Sequence, residues 1–292
     1  MCRWMAWHGQ PVILEELLFN SPHGLIEQSL HSRLGAETTN GDGFGVGWYG
    51  VGEGPGVFHS VSPAWGNANL RELAAHIESP LFLAHVRATS GGAIQETNCH
   101  PYQHDNWLFV HNGLVNEFDT LRRDLMLAID PSLFAGIHGS TDSEVLFHLA
   151  LTFGLRDDPV GAIEQTLGLV ELLAEQHGVG EALQASIGVS DGSRLWAVRY
   201  ATVAPARTLF HSADAEAARA LYQDDDRIQR MHDGDVLVVS EPFSDLPGAW
   251  IEIPESTALE VDARGDVEQR PFTPRAPGVA RSDRGRTRQA VT

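Results

Sequence analysis

The sequence predicts an α+β fold in which antiparallel sheets are covered by helices. Three observations carry this reading. The β-rich runs come mostly in groups, the helical patterns form a central block, and Asp191-Gly192-Ser193 sits between two apolar runs as a hairpin turn would. A regular alternation of strand and helix, the mark of a parallel sheet, does not occur.

In chain order, FGVGWY (44–49) is the first strand-like run. NLRELAAHIES follows as a helix with Asn69 as N-cap and Glu72 three residues on. Leu70, Leu73, Ala74 and Ile77 would share its buried face. LFLAHVRA and WLFVHN read as strands, and the second ends in FVHNG, where Asn112-Gly113 signals a sharp turn. STDSEVLFHLALTF places Thr141 and Glu144 at capping-box spacing ahead of Val145, Leu146, Leu149 and Phe153. DPVGAIEQTLGLVELLAEQHG has Asp158 as cap, Pro159 in the first turn and Gly178 as stop. LQASIGVS and RLWAVRYA then flank the DGS turn. RTLFHS, a helix near residue 214, GDVLVVS and a strand pair within AWIEIPESTALEVDARGDVEQRPF complete the set.

Across 292 residues, 42% of them hydrophobic, neither an internal repeat nor a Pro/Gly-rich linker divides the chain. Residues 1–272 are therefore expected to form a single domain. Residues 273–292, TPRAPGVARSDRGRTRQAVT, are arginine-rich and nearly devoid of large apolar side chains, which predicts a disordered tail. The net charge of -19 argues against nucleic acid and against anionic membranes as partners. No stretch has the apolar length of a membrane span, and the N-terminus lacks the pattern of a secretion signal. Two cysteines, Cys2 and Cys99, are too few for a disulfide framework, so a cytoplasmic protein with reduced thiols is expected.

Chemistry starts at MCRW. If Met1 is removed, Cys2 carries a thiol and a free α-amine together. An α-amine with a pKa of roughly 7.7–8.0 is able to accept the thiol proton and later return it to a leaving amine. Three further stretches offer partners. In AHVRATSGG, Arg87 stands at a strand end, where a guanidinium can grip a carboxylate with two hydrogen bonds. In FVHNG, the Asn112 amide and the Gly113 N–H are two donors able to meet at one oxyanion. In GSTDSEV, Asp142 lies in the first turn of a helix, as a dipole-complementing acid or as a receptor for a substrate ammonium.

The order Cys2, then R-A-T at 87–89, N-x-H-P at 98–101, H-N-G at 111–113 and S-T-D-S-E at 140–144 closely resembles the class II glutamine amidotransferases. These belong to the N-terminal-nucleophile (Ntn) hydrolases. NGDGFGVGWY at 40–49 is similar to the smaller, stand-alone members. The resemblance implies a four-layer αββα sandwich forming one glutamine amidotransferase type-2 domain, and cleavage of a γ-glutamyl amide. It implies Cys2 as nucleophile, Asn112 and Gly113 as oxyanion hole, Arg87 on the glutamyl α-carboxylate, Asp142 on its α-ammonium and Thr89 lining the pocket. Many relatives place tryptophan after the arginine, where this chain has Ala88.

The opening and length are more similar to the γ-glutamyl hydrolases of glutathione degradation and ergothioneine biosynthesis than to synthase fusions. A hydrolase of a small γ-glutamyl compound is the favoured expectation. A glutaminase subunit serving a separate synthase, and a catalytically silent regulatory relative, remain the alternatives. A homo-oligomer is compatible with either enzyme. Neither cofactor nor metal is expected. His85, His100, His104, His111 and Cys99 cluster in sequence but form no paired ligand motif. The glycines of GDGFGVGWYGVGEGPG lack the Gly-Lys-Ser/Thr ending of a phosphate loop and are expected to let strands approach closely. Trp4 and Trp7 are close enough in sequence to wall a pocket around Cys2.

Overall fold

The computed structural model describes residues 2–34, 39–89, 92–203 and 205–278, with Arg227 described by its backbone alone. The chain opens with β1 (Arg3–Ile13), α1 (Leu14–Leu18) and α2 (Leu25–Leu30). β2 (Phe44–Tyr49), β3 (Gly56–Ser60), α3 (Ala68–His76) and β4 (Glu78–Val86) follow. The middle comprises β5 (Tyr102–His104), β6 (Trp107–Val115), α4 (Phe118–Leu127), α5 (Asp142–Thr152) and α6 (Pro159–His177). Next come β7 (Leu183–Ser190), β8 (Leu195–Ala201), β9 (Phe210–Ser212), α7 (Ala215–Leu221) and α8 (Asp226–Gln229). β10 (Val236–Val239), β11 (Trp250–Glu252), β12 (Thr257–Val261) and β13 (Val267–Pro271) complete the order.

Two antiparallel sheets result. One runs β11-β9-β10-β1-β4-β2-β3 and the other β13-β12-β8-β7-β6-β5. Period-two alternation sends their side chains to two faces. Trp4 and Ala6 of β1, Leu81 and Leu83 of β4, Leu108 and Val110 of β6, and Leu195 and Ala197 of β8 meet between the sheets. Met5, Trp7, Phe82 and Ala84 face the other way, onto Leu14, Leu18, Leu25 and Leu70 of α1–α3. Phe109, Ile187, Trp196 and Val198 of the second sheet pack on Leu121, Leu146, Ile163 and Leu167 of α4–α6. The architecture is the expected four-layer αββα sandwich.

Trp4 ties the two sheets together. It is 1% exposed, and its Nε1 donates to Ser186 Oγ on β7 at 3.0 Å. The ring fills space that a side chain at Gly188 would occupy, since a Cβ there would lie 2.8 Å from Trp4 Cζ3. Small residues facing inward on β7 thus match one large residue facing inward on β1.

Helix termini follow their caps. Asp158 accepts from Gly161 N–H with Pro159 in the first turn, and Gly178 ends α6 in the left-handed region. Thr141 accepts from Glu144 N–H at 3.2 Å. The Glu144 carboxylate does not return to Thr141; it accepts instead from His138 and Gly139 N–H at 2.8 and 2.7 Å. The α3 cap is Asn67, which accepts from Leu70 N–H, so Asn69 lies inside the helix. Leu73, expected on the buried face, is 37% exposed.

The expected turn at Asn112-Gly113 is not there. β6 runs straight through to Val115, and Asn112 and Gly113 pair with Ser186 and Ala185 of β7. The glycine is required by proximity, not by turning: a Cβ at Gly113 would meet the Gln184 carbonyl oxygen at 1.9 Å. Near the C-terminus, Arg275 donates its N–H to the Glu164 carbonyl at 3.0 Å and its backbone covers Gly168 on α6. The described chain therefore continues past the expected boundary at 272, while residues 279–292 of the expected tail lie outside the described residues. Among the described residues no helix is long and apolar enough to cross a membrane.

Trp4→Ala should lower unfolding stability by about 3–5 kcal/mol, because it opens a cavity between the sheets. Ser186→Ala should cost only about 1 kcal/mol, the net worth of one hydrogen bond. Urea denaturation of both variants measures the difference; equal effects would show that the ring does not join the layers.

Candidate active site

The two inward-facing series converge at one end of the sandwich. On β4 the series Leu81, Leu83, His85 continues to Arg87 just past the strand end. Cys2 stands immediately before β1, two residues from inward-facing Trp4. Asn112 extends the inward series of β6 and is paired with Ser186, the residue that Trp4 bonds. Strand parity and one cross-sheet hydrogen bond thus place Asn112 beside β1, the strand that Cys2 precedes.

Cys2 is a free thiol, partly buried, with Sγ 3.5 Å from the Ala88 carbonyl oxygen. Burial pushes its pKa up, with the Arg87 charge pulling it back and Asp142 adding to the rise. Cys2, Arg87 and Asp142, far apart in sequence, therefore share one electrostatic environment. Arg87 is 5% exposed, and its buried Nη1 has no hydrogen-bond partner among the described residues. An unsatisfied buried guanidinium nitrogen beside a thiol suits an incoming carboxylate.

Asp142 opens α5. Its Oδ2 accepts from Val115 N–H at 2.8 Å, and its Oδ1 accepts from Ser143 N–H at 2.8 Å. These bonds fasten the helix start to the end of β6, next to Asn112 and Gly113. Thr89 is placed differently. Its N–H donates to Asp42 Oδ2 at 2.8 Å and its hydroxyl accepts from Gly92 N–H at 2.9 Å, so it braces its own loop.

Several further groups at the site have no role assigned from the sequence, although His100 and His111 lie within the N-x-H-P and H-N-G stretches. His111 faces α5, with Nδ1 2.9 Å from Ser143 Oγ, and burial lowers its pKa against the opposing pull of Asp142. His85 and His100 stack with ring centroids 4.2 Å apart, and His100 packs on Tyr102 at 4.6 Å. Burial, reinforced by Arg87 and His111, depresses His85 to about 3. His100 is held well below its ordinary value by burial and by His85. Both imidazoles are thus neutral near pH 7 and add no positive charge beside Arg87. His104 lies apart, facing His148. Arg207, ahead of β9, is near enough to feel both Cys2 and Arg3. Among the described residues no group of three or more His, Cys, Asp and Glu is arranged to hold a metal ion. Trp7 points away from Cys2, because an odd residue of β1 faces the helices.

The strand start is anchored by a buried carboxylate. Glu241 receives Arg3 Nε at 3.1 Å, His23 Nε2 at 2.5 Å, and the backbone N–H groups of Arg33 and Leu34 at 2.8 and 2.9 Å. Arg3 Nη1 also donates to the Cys2 carbonyl at 3.0 Å. Burial alone would raise the Glu241 pKa, but the Arg33 and Leu34 donors, with His23 and Arg3, bring it below its ordinary value.

Comparison with known proteins identifies the family and the fold. Residues 22–277 match the family described as class-II glutamine amidotransferases. The probable glutamine amidotransferase DUG3 of Saccharomyces cerevisiae is 33% identical over 89% of this chain and 82% of its own. The gamma-glutamyl-hercynylcysteine sulfoxide hydrolase of Mycolicibacterium smegmatis is 29% identical over 89% of this chain and 96% of its own. A solved glutamine aminotransferase class-II domain protein from Silicibacter pomeroyi superposes with a TM-score of 0.69 at 33% identity, covering 94% of this chain and all of that one. Glutamine phosphoribosylpyrophosphate amidotransferase from B. subtilis shares the fold at 14% identity, TM-score 0.62, over 94% of this chain and 49% of its own.

A carboxylate whose pKa is lowered by folding stabilises the protein above the ordinary carboxylate range, and this is lost as pH falls through the folded value. Glu241→Gln should therefore destabilise by about 3–5 kcal/mol at pH 7, since it leaves buried Arg3 without its counter-charge. The gap from the unsubstituted protein should close as pH falls below that range. Urea denaturation across pH 7 to 3 measures it; a gap independent of pH would refute the ionised anchor.

Proposed function

This chain belongs to the class-II glutamine amidotransferases, and from that membership we propose that it is an N-terminal-cysteine amidohydrolase releasing glutamate from a small γ-glutamyl amide. The observation that supports it most is the meeting of Cys2, Arg87 and Asp142 at one end of the inter-sheet layer, with a buried Arg87 nitrogen lacking a partner among the described residues.

In this reading Met1 is removed and the Cys2 α-amine becomes the base. Burial alone holds the thiol protonated, so a base beside it is needed; the positive field of Arg87 assists ionisation. The thiolate attacks the γ-carbonyl carbon. The Asn112 side-chain amide and the Gly113 N–H receive the resulting oxyanion, each such donor being worth about 2.7–4 kcal/mol in comparable sites. The Cys2 ammonium then protonates the leaving amine as the C–N bond breaks, leaving a γ-glutamyl thioester. Water, deprotonated by the same amine, hydrolyses it to glutamate and the free thiol.

Arg87 holds the α-carboxylate of the glutamyl group and Asp142 its α-ammonium, so the head group is gripped by complementary charges at fixed points. Thr89 contributes by bracing the loop behind Arg87. The similarity along nearly the whole of a named γ-glutamyl hydrolase favours a γ-glutamyl derivative of a sulfur compound over glutamine as substrate. The two free thiols, Cys2 and Cys99, suit a reducing, cytoplasmic setting.

Cys2→Ala should abolish glutamate release from glutamine, glutathione and γ-glutamyl thiol conjugates while circular dichroism stays unchanged. Intact-mass analysis of the active protein should show loss of Met1; full activity in a protein that keeps Met1 would refute the amine mechanism.

Asp142→Asn keeps an acceptor for Val115 N–H but removes the charge. It should raise KM for substrates with a free α-amine by about ten- to a hundredfold, the worth of one charge-assisted hydrogen bond. Steady-state kinetics should show no such change for the corresponding glutaryl amides; an equal loss on both substrates would assign Asp142 a purely structural role.

A further inference from the structure

One well-formed cavity lies away from the cysteine. It lies on the outer face of the first sheet, toward the far end of β1, where α7, α8 and the segment 243–250 overhang β1, β9 and β10. Its volume is about 360 Å³, within the range of ligand pockets. Trp7, Phe243 and Trp250 bring aromatic surface to it, with Leu17, Ile228 and Met231 alongside.

Two hydrogen bonds decide what chemistry this surface offers. Trp7 Nε1 donates to the Gln10 carbonyl at 3.1 Å, and Trp250 Nε1 donates to Ser244 Oγ at 3.2 Å. Both indole N–H groups are therefore tied to the protein, and the rings present apolar surface. The buried acid of the lining, Asp235, is likewise engaged, accepting from Gln10 and His232 N–H at 2.8 Å each. The rim carries Glu16 and Asp225 against Arg230 and His232, so it offers no net positive field to draw in an anion.

We propose that this cavity is a second binding site, for an uncharged aromatic compound, separate from the γ-glutamyl site. Aromatic side chains dominate the energetics of such pockets because each buries a large apolar area at small conformational cost. The site does not depend on the cysteine chemistry. Trp7 faces the cavity by the same parity that turns Trp4 and Cys2 to the other side of the sheet.

The test uses the whole protein and N-phenyl-1-naphthylamine, an uncharged aryl probe, with 1-anilinonaphthalene-8-sulfonate as its anionic counterpart. Saturable 1:1 fluorescence binding of the neutral probe is expected, with the anionic probe at least tenfold weaker. Ala218, buried in the lining, gives the filling variant: Ala218→Phe should weaken the neutral probe at least tenfold. Methyl-labelled methionine NMR avoids reliance on a variant. Of the four methionines, Met231 lines the cavity and its resonance should shift on titration, while Met126 on α4 should not.

Binding should persist in Cys2→Ala and in excess glutamine, so it can fail or succeed independently of the amidohydrolase reading. Non-saturable binding, displacement by glutamine, an unmoved Met231 resonance or preference for the anionic probe would each overturn the proposal.

Discussion

The central strand of the first sheet constrains everything else. β1 is paired on both edges, by β4 and β10, and buried on both faces. Its alternation therefore assigns each residue to one of two environments with no freedom to slip, because a one-residue shift would exchange the faces. From Trp4 to Trp7, even positions meet the second sheet and odd positions meet the helices. The Trp4–Ser186 bond then fixes where β1 sits over β7. The candidate site inherits its geometry from that placement: Cys2 lies just beyond β1, Arg87 just beyond its neighbour β4, and Asn112 on the facing sheet.

Electrostatics at the site follow a division of labour. Arg3 is matched by Glu241 at 3.1 Å, which fastens the strand without engaging the thiol. Arg87, by contrast, keeps a buried nitrogen without a partner among the described residues, while the neighbouring imidazoles of His85 and His100 are held neutral. A cation left incompletely satisfied is costly unless something arrives to complete it. In the proposed reading, preorganised charge of this kind would receive a substrate carboxylate without rearrangement of the protein.

Legibility in the sequence depended on how local each signal was. The caps of α6 needed only a few adjacent residues and were readable to the residue. β1 went unread, because a strand buried on both faces lacks clean alternation, and MCRWMAWHGQ mixes Arg3 and His8 with its tryptophans. The Asn112-Gly113 pair carried a turn signal that tertiary pairing with β7 overrode. Cys2, Arg87 and Asp142 were legible as candidates through their order along the chain. Arg207 and the His85–His100 stack were not, since their proximity to the site exists only after folding.

Glu241 gathers ligands from the strand start, from the turn at His23 and from the backbone at Arg33 and Leu34, while itself following β10. Three distant stretches thus hang on a single side chain. Local opening at any one of them strips donors from a buried anion and weakens its hold on the other two. The segment leading up to residue 34 and the lip of the central strand are thereby coupled through one buried carboxylate.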